Sequence, residues 1–495
     1  MKRLFDIIEP AMGIVLFLMV LAVMVLASCT TSVPPAQVAT EVPTQYRESP
    51  GESPRESPRE ATGEVAGTAP GDWQPARPAD GTQRGRWWTV YGDTELDTLV
   101  EQAGAANPGL ALALARVREA RAEAGLADAD RSLQVSAGLG PTRQGGYGAP
   151  DATQWRAQAS FSYEVDLFGR LSDQSRAAQL DAAAQEAAYR SVLLALQADV
   201  AQQYFAIRSL DAELDVLERT VGLREAALGL ARHRYEAGDT SELDVAQART
   251  ELANTQAETE AVRRARALRD HALATLLGKA PSQFTLPAAP LEVTMVTVPA
   301  GLPSALLERR PDIAQAQRKL AAASARIGAA RAAFFPSLVL TGSGGYASNQ
   351  LDNLFRWSSR SWLLGPYLGT ALNVPLLDGG RNKAALALAN GSYDEMVAGY
   401  RQQVLVGFQD VEDSLGTLRT LDRQLQFERE SVAAAELATR LAQSRYRNGS
   451  ASYLEVIDAE RSSLAAQRAQ SQIIGQRAIG SVGLIRALGG GWDGA

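Results

Sequence analysis

The stretch LSDQSRAAQLDAAAQEAAYRSVLLALQADVAQQYFAIRSLDAELDVLERTVGLREAALGLARHRYEAG, residues 171–238, runs from Leu171 to Gly238 without a proline and is dense in Ala, Leu, Gln, Glu and Arg. Such a run reads as one uninterrupted helix. At 1.5 Å per residue, a helix over 171–235 would extend roughly 100 Å. Gly238, flanked by Asp239 and Thr240, supplies the stop, because glycine accepts the left-handed conformation that commonly ends a helix. A second helix starts near Ser241 and returns to about Leu277, so the unit is a very long helical hairpin with a glycine-marked tip.

The same unit is written twice. Arg234-Tyr235-Glu236-Ala237-Gly238 is matched by Arg445-Tyr446-Arg447-Asn448-Gly449 at a displacement of 211, and Leu243-Asp244-Val245 by Leu454-Glu455-Val456. Leu277-Gly278 and Leu488-Gly489 keep the displacement, as do Gly169-Arg170 and Gly380-Arg381, while Ala120-Arg121 and Ala325-Arg326 stand 205 apart. The duplication predicts a second long hairpin over 381–446 and 452–488. Ahead of each hairpin the pattern predicts a helix, over 94–130 and over 304–333. Each is followed by two strands: 133–139 and 155–165 in the first repeat, 338–346 and 367–374 in the second. Alternation is visible in Phe161, Tyr163 and Val165. The Gly-rich linkers 138–148 and 342–361 are expected as hairpin loops. The expected fold class is therefore mainly α with a small β part. The expected segments are a leader at 1–28, a tether at 29–86, repeats at 87–280 and 304–490 joined by a linker at 281–303, and a tail at 491–495. Four strands cannot close around a hole, and an open edge in lipid leaves backbone groups unpaired, so a membrane pore would need several copies.

Composition narrows the function classes. Net charge −7 without a basic patch gives no reason to expect nucleic-acid binding. Two histidines, His233 and His271, and one cysteine, Cys29, leave too few ligands for a Cys/His metal cluster. No Gly-rich phosphate loop ending in Lys-Ser or Lys-Thr occurs, and no catalytic constellation appears, so no enzyme and no cofactor are expected. The two histidines read as surface or helix-packing residues.

Lys2 and Arg3 precede an apolar run over 11–27, the layout of a secretory leader. The run ends in Leu26-Ala27-Ser28-Cys29, which resembles a bacterial lipobox, where cleavage before the cysteine is followed by acylation. An uncleaved transmembrane helix is the alternative. Thr30 follows Cys29 in place of the aspartate associated with inner-membrane retention. From Thr30 to about Arg86 the chain is rich in Pro, Ser, Gly, Glu and Thr, a composition expected of a tether.

At particular motifs the chain resembles the TolC/OprM outer-membrane factor family, its lipoprotein branch above all. These are Trp87-Trp88 with Tyr91, Asp93 and Leu96; Leu307-Glu308-Arg309-Arg310-Pro311-Asp312-Ile313; Phe334-Phe335-Pro336; Val165-Asp166-Leu167-Phe168-Gly169-Arg170; and Leu377-Asp378-Gly379-Gly380-Arg381. The resemblance covers nearly all of the chain after the tether. Arg131 departs from it, standing where the first repeat often carries proline.

The resemblance implies a homotrimer with a twelve-stranded transmembrane β-barrel and a helical periplasmic tunnel. Such a trimer serves as the exit duct of a tripartite efflux or secretion system, anchored in outer-membrane lipid. Its implied partners are a periplasmic adaptor (membrane-fusion) protein and an inner-membrane pump, of the proton-driven RND type. It places Leu454 and Asp458 at the closing constriction, with Tyr446, Asp244 and Glu455 near it. Arg445 and Tyr446 would latch neighbouring helices, and Gly238, Asp239, Gly449 and Ser450 would form the adaptor dock. Glu455 and Asp458, three apart on one helix, share a face, and repetition about a threefold axis would gather like charges there. The rival reading is a lipid-anchored structural or adhesive coiled-coil rod.

Overall fold

The structure is a computed structural model that describes residues 42–43, 45–48, 85–146, 149–291, 306–364 and 370–490. The leader, Cys29, most of the tether, the later part of the linker and the tail lie outside the described residues.

In chain order, a 3-10 turn at Trp87–Tyr91 leads into α1 (Thr94–Ala106), α2 (Pro108–Ala129), β1 (Gln134–Gly146), β2 (Ala149–Val165), α3 (Arg170–Glu236) and α4 (Glu242–Leu276). The second repeat contributes α5 (Leu306–Arg309), α6 (Pro311–Ala332), β3 (Ser337–Ser348), β4 (Arg360–Leu364), β5 (Thr370–Asn373), α7 (Arg381–Arg447) and α8 (Tyr453–Ala487). α3 and α7 are 67 residues each, and α4 and α8 are 35 each. The described chain forms two units. One holds Arg116–Glu186 with Gln315–Gln402, including the sheet; the other holds Glu41–Ala115, Ala187–Ala314 and Gln403–Ala495.

All four long helices end alike. Gly238, Gly278, Gly449 and Gly489 have φ of 81°, 70°, 73° and 85°. At each, the glycine N–H donates three residues back and the next N–H five residues back, as in Asp239 to the Arg234 carbonyl at 2.8 Å and Ser450 to the Arg445 carbonyl at 2.9 Å. This paired closure satisfies the last carbonyls of the helix. At Gly278 an added Cβ would also collide with the Ala106 carbonyl oxygen, so two constraints fix glycine there.

In the sheet-bearing unit, β1, β2, β3 and β4 pair antiparallel in that order, and β5 pairs the lower half of β3. The fourth strand expected at 367–374 is thus described as two segments along one edge of β3, with 365–369 outside the described residues. Register separates the faces. Val135, Ala137 and Leu139 stand opposite Phe161, Ala159 and Ala157, whereas Ser136 stands opposite Ser160 with their hydroxyls 2.8 Å apart. The face of Val135, Leu139 and Phe161 is largely apolar and exposed; the other is mostly polar, with Ser136, Gln158, Ser160 and Ser162 alongside Arg156 and Glu164.

Three expectations are corrected. Glycines 138–146 and 342–345 are strand, not loop: β2 backbone lies so close to Gly345 that a Cβ would collide with Ala157 O, which makes glycine a packing requirement. The helix expected over 94–130 is two helices, because Pro108 has no N–H to donate. Asn107 bridges the break, accepting from Leu110 N–H at 3.0 Å and donating to the Leu276 carbonyl at 2.8 Å. The stretch expected as tether also carries a fixed point. Tyr46 is buried against Val411, Leu415 and Leu484, and the Arg47 and Glu48 N–H groups donate to the two Glu412 carboxylate oxygens at 2.8 and 3.1 Å. Burial pushes the Tyr46 hydroxyl up to about 12.

Tyr46 therefore staples the segment by its ring. Truncation to alanine should cost about 3–5 kcal/mol of local packing and expose the neighbouring backbone to protease. Tyr46→Phe should be neutral, since the hydroxyl has no hydrogen-bond partner among the described residues. Limited proteolysis of the three proteins checks both, and equal cleavage of Tyr46→Ala and wild type would refute the staple.

The main core of the other unit joins Trp87, Leu96, Leu99 and Val100 to Leu196, Phe205, Leu273, Leu277, Val482 and Ile485. Tyr91 donates or accepts one bond with Ser481 at 2.8 Å, and Asp93 caps α1 by accepting the Glu95 and Leu96 N–H groups. Leu286 in the linker is buried in this core; its N–H donates to Asp270 at 3.0 Å and its carbonyl accepts from Arg266 at 2.7 Å. Arg310 of the Arg-Arg-Pro-Asp motif donates to Asp312, Asp410 and the Ala487 carbonyl. Its conspicuous spelling marks a buried knot. One aspartate per repeat caps each 67-residue helix: Asp166 accepts from Leu171 and Ser172 at the start of α3, and Asp378 from Gly380 and Asn382 at the start of α7.

Candidate functional site: the helix tips

Near the tips the four long helices share one small core. Leu228 and Ala231 of α3, Ala248 of α4, and Tyr453, Val456 and Ile457 of α8 are buried together, with Tyr446 of α7 packed against them. The α8 positions left out of this core are the interesting ones. Leu454 is 51% exposed and the Asp458 side chain 64% exposed. Four residues apart, they occupy the same helix face, turned away from the packed one.

Arg445 reaches α8: its guanidinium lies 3.3 Å from Glu455 and also donates to the Ser450 carbonyl. Ser450 returns a bond from its hydroxyl to the Arg445 carbonyl at 3.0 Å. Asp244, the counterpart of Glu455, instead accepts from the Thr240 hydroxyl within its own turn. The repeat is broken here because Arg234, the counterpart of Arg445, lies over the Tyr446 ring, 5.0 Å from its centre. Tyr446 stands 5.4 Å from Tyr453 ring to ring, and its hydroxyl is buried with no hydrogen-bond partner. Within one chain it is held by its ring. Burial, with Glu460 nearby, pushes the Tyr453 hydroxyl up to about 12. Gly238, Asp239, Gly449 and Ser450 are exposed in the two turns. His233 is exposed, 3.8 Å from Glu236. No group of acids and histidines arranged for a metal ion occurs among the described residues.

Sequence reasoning missed the buried charges behind this surface. Arg224 of α3 and Glu251 of α4 are 5% exposed. Arg224 donates to the Glu251 carbonyl at 2.8 Å and lies 3.2 Å from its carboxylate. Arg461 of α8 donates to the same carboxylate at 3.1 Å, and Asp458 lies 3.8 Å from Arg461. Its hydrogen bonds to the accepting Glu251 carboxylate hold the Arg461 guanidinium above its ordinary pKa. One heptad farther along, Arg468 donates at 2.9 Å to both Glu213 of α3 and Glu258 of α4. Two rungs seven residues apart thus tie the first hairpin to α8. The signal available was that spacing: Glu251 and Glu258 against Arg461 and Arg468, each pair 210 apart.

A family profile described as outer membrane efflux protein matches residues 99–279 and 302–490. The chain is 34% identical to the Escherichia coli "Cation efflux system protein CusC" over 84% of this chain and 90% of that one. It is 36% identical to "Outer membrane protein OprJ" of Pseudomonas aeruginosa, over 82% and 86%. The open-state structure of the Neisseria gonorrhoeae MtrE outer membrane channel superposes with a TM-score of 0.80 at 29% identity, covering 94% of this chain and 98% of that one. No helix among the described residues is long and apolar enough to cross a membrane. With the duplicated hairpins, the two-faced sheet and matches spanning both repeats, this chain belongs to the outer membrane efflux protein family and is an outer-membrane efflux channel.

Proposed function

We propose that three copies close one twelve-stranded barrel and one helical tunnel. Through that tunnel, solutes delivered by a periplasmic adaptor and a proton-driven RND pump leave the cell. The carrying observation is the sheet: a largely apolar exposed face, a mostly polar face and, among the described residues, unpaired edges at β1 on one side and β4 and β5 on the other. In lipid those edges must find partners, and identical neighbours supply them. Cys29 carries the lipid anchor. The adaptor docks on the Gly238-Asp239 and Gly449-Ser450 turns. Leu454 and Asp458, exposed on one chain, meet their copies at the axis and close the tunnel; partner binding opens it by an iris-like movement of the hairpins.

Purified protein in planar bilayers should give discrete ohmic current steps and run as a trimer in detergent. A stable monomer that stays in solution without detergent, or a trimer that passes no current, would overturn this reading.

A further inference from the structure

The connection between β3 and β4 is a built structure. It contains two 3-10 turns, Leu351–Asn353 and Trp357–Ser359. The Ser359 hydroxyl donates to the Asn353 carbonyl at 2.7 Å, the Arg356 N–H to the same carbonyl at 3.2 Å, and Leu354 is fully buried beneath. A loop so tied would be expected to hide its large apolar groups. It does the reverse: Phe355 and Trp357 are 68% and 73% exposed, and Trp362, just inside β4, is 78% exposed.

Register says which way they face. Leu338 and Leu340 stand opposite Val165 and Tyr163 on the apolar face, and Tyr346 stands opposite Ala157 on that same face. Across β3, Tyr346 pairs with Arg360 and Gly344 with Trp362, so Arg360 and Trp362 lie on the apolar face too. The Phe355 ring meets the Tyr346 ring edge-on at 5.7 Å, which folds the loop onto that side. Arg360 lies over the Trp357 ring and donates to the Trp357 carbonyl at 2.9 Å. From Leu338 to Tyr346 the strand rises about 27 Å. At the tilt usual in barrels that spans most of a band roughly 25 Å tall. The cluster therefore stands where the apolar band ends, at the edge farthest from the helices' strand junctions. Arg356 and Arg360 are exposed there, against one acid in the loop, Asp352.

We propose that this loop is a headgroup site for the phosphorylated glycolipid of the outer leaflet. Arg356 and Arg360 take the phosphate, while Phe355, Trp357 and Trp362 lie against the sugar and upper acyl chains. Aromatic rings suit that boundary because one end of them is apolar and the other is wet, and arginine matches phosphate geometry in two-pronged contacts. An exposed aromatic cluster on a rigid loop, continuous with an apolar band and crowned by cations, fits an anionic lipid surface better than it fits water.

The inference rests on the barrel reading, and the test separates the two. Diphosphoryl lipid A and its dephosphorylated form are each titrated into the full-length channel in detergent, with retained adducts counted by native mass spectrometry. Wild type should retain the diphosphoryl form about tenfold better, the ratio expected from one net charge-assisted phosphate contact. The double variant Arg356→Gln/Arg360→Gln should lose that preference and still conduct as a trimer; Trp357→Ala should weaken retention of both forms. Equal retention of the two lipids by wild type, or unchanged retention by the double variant, overturns the headgroup site while leaving the channel standing. Loss of current in wild-type protein would instead strike the barrel.

Discussion

Glu251→Ala should loosen the tips more than any other single change there, raising channel conductance and opening the α3–α4 turn to protease. The carboxylate is buried and serves two guanidinium groups from two different helices, Arg224 at 3.2 Å and Arg461 at 3.1 Å. Removing it leaves Arg224, itself buried, beside Arg461 with no charge between them. Breaking a buried pair by deleting one partner costs about 3–5 kcal/mol, because the surviving charge remains desolvated. The second rung, through Arg468, Glu213 and Glu258, holds the hairpins one heptad away, so the loss should stay local to the tip. Glu251→Gln keeps one acceptor oxygen for the two guanidinium groups but loses the charge and the second acceptor, and should fall between wild type and alanine. Conductance in planar bilayers and protease mapping read the two effects together. If Glu251→Ala conducts as wild type and its tip resists cleavage equally, the rung is not a restraint on opening.

That rung shows where sequence reading succeeds and where it stops. The long helices were legible because their cues are local: an unbroken proline-free run, then a glycine. The expectation of helices over 171–235 and 381–446 meets α3 at Arg170–Glu236 and α7 at Arg381–Arg447. Starts near Ser241 and Ser452 are met by α4 and α8, each beginning one residue later. The glycine-rich strand ends were misread as loops for a physical reason. Gly345 serves close strand approach, a use of glycine that looks identical in sequence to turn formation. At Pro108 a break signal was present in Asn107-Pro108 and was overrun by the surrounding alanine-rich pattern. The Arg224–Glu251–Arg461 cluster was hidden differently. An arginine or glutamate in an amphipathic helix reads as solvated unless the partner helix is known. Register between α4 and α8 is a tertiary fact, set by the tip core around Ala248, Val456 and Ile457. The surface pair Leu454 and Asp458 is legible as a shared helix face, and both are exposed in the chain. What that exposure faces depends on the neighbouring copies.

Leu454→Ala together with Asp458→Ala should raise conductance and weaken block by multivalent cations, without measurable loss of fold stability. The stability half follows from magnitude. Asp458 is an exposed acid 3.8 Å from Arg461, whose stronger partner is Glu251, and exposed pairs contribute about 0–1 kcal/mol. Leu454 is half exposed on the isolated chain, so truncation opens no cavity in the tip core. The conductance half follows from symmetry. In the proposed trimer each side chain recurs three times about the axis, so one substitution removes three isobutyl groups from the narrowest point and three carboxylates from one ring. Carboxylates gathered in a partly desolvated ring recruit cations, divalent and trivalent ones most strongly; without them such ions lose their site. The single variants separate the causes. Leu454→Ala should increase current while keeping cation block, and Asp458→Asn should relieve block with little change in current, because its volume is nearly conserved. A double variant with wild-type current and wild-type block would place the constriction elsewhere along the tunnel. The next positions to test would then be Glu455 and Arg445, whose 3.3 Å pair ties α7 to α8 at the first turn of α8.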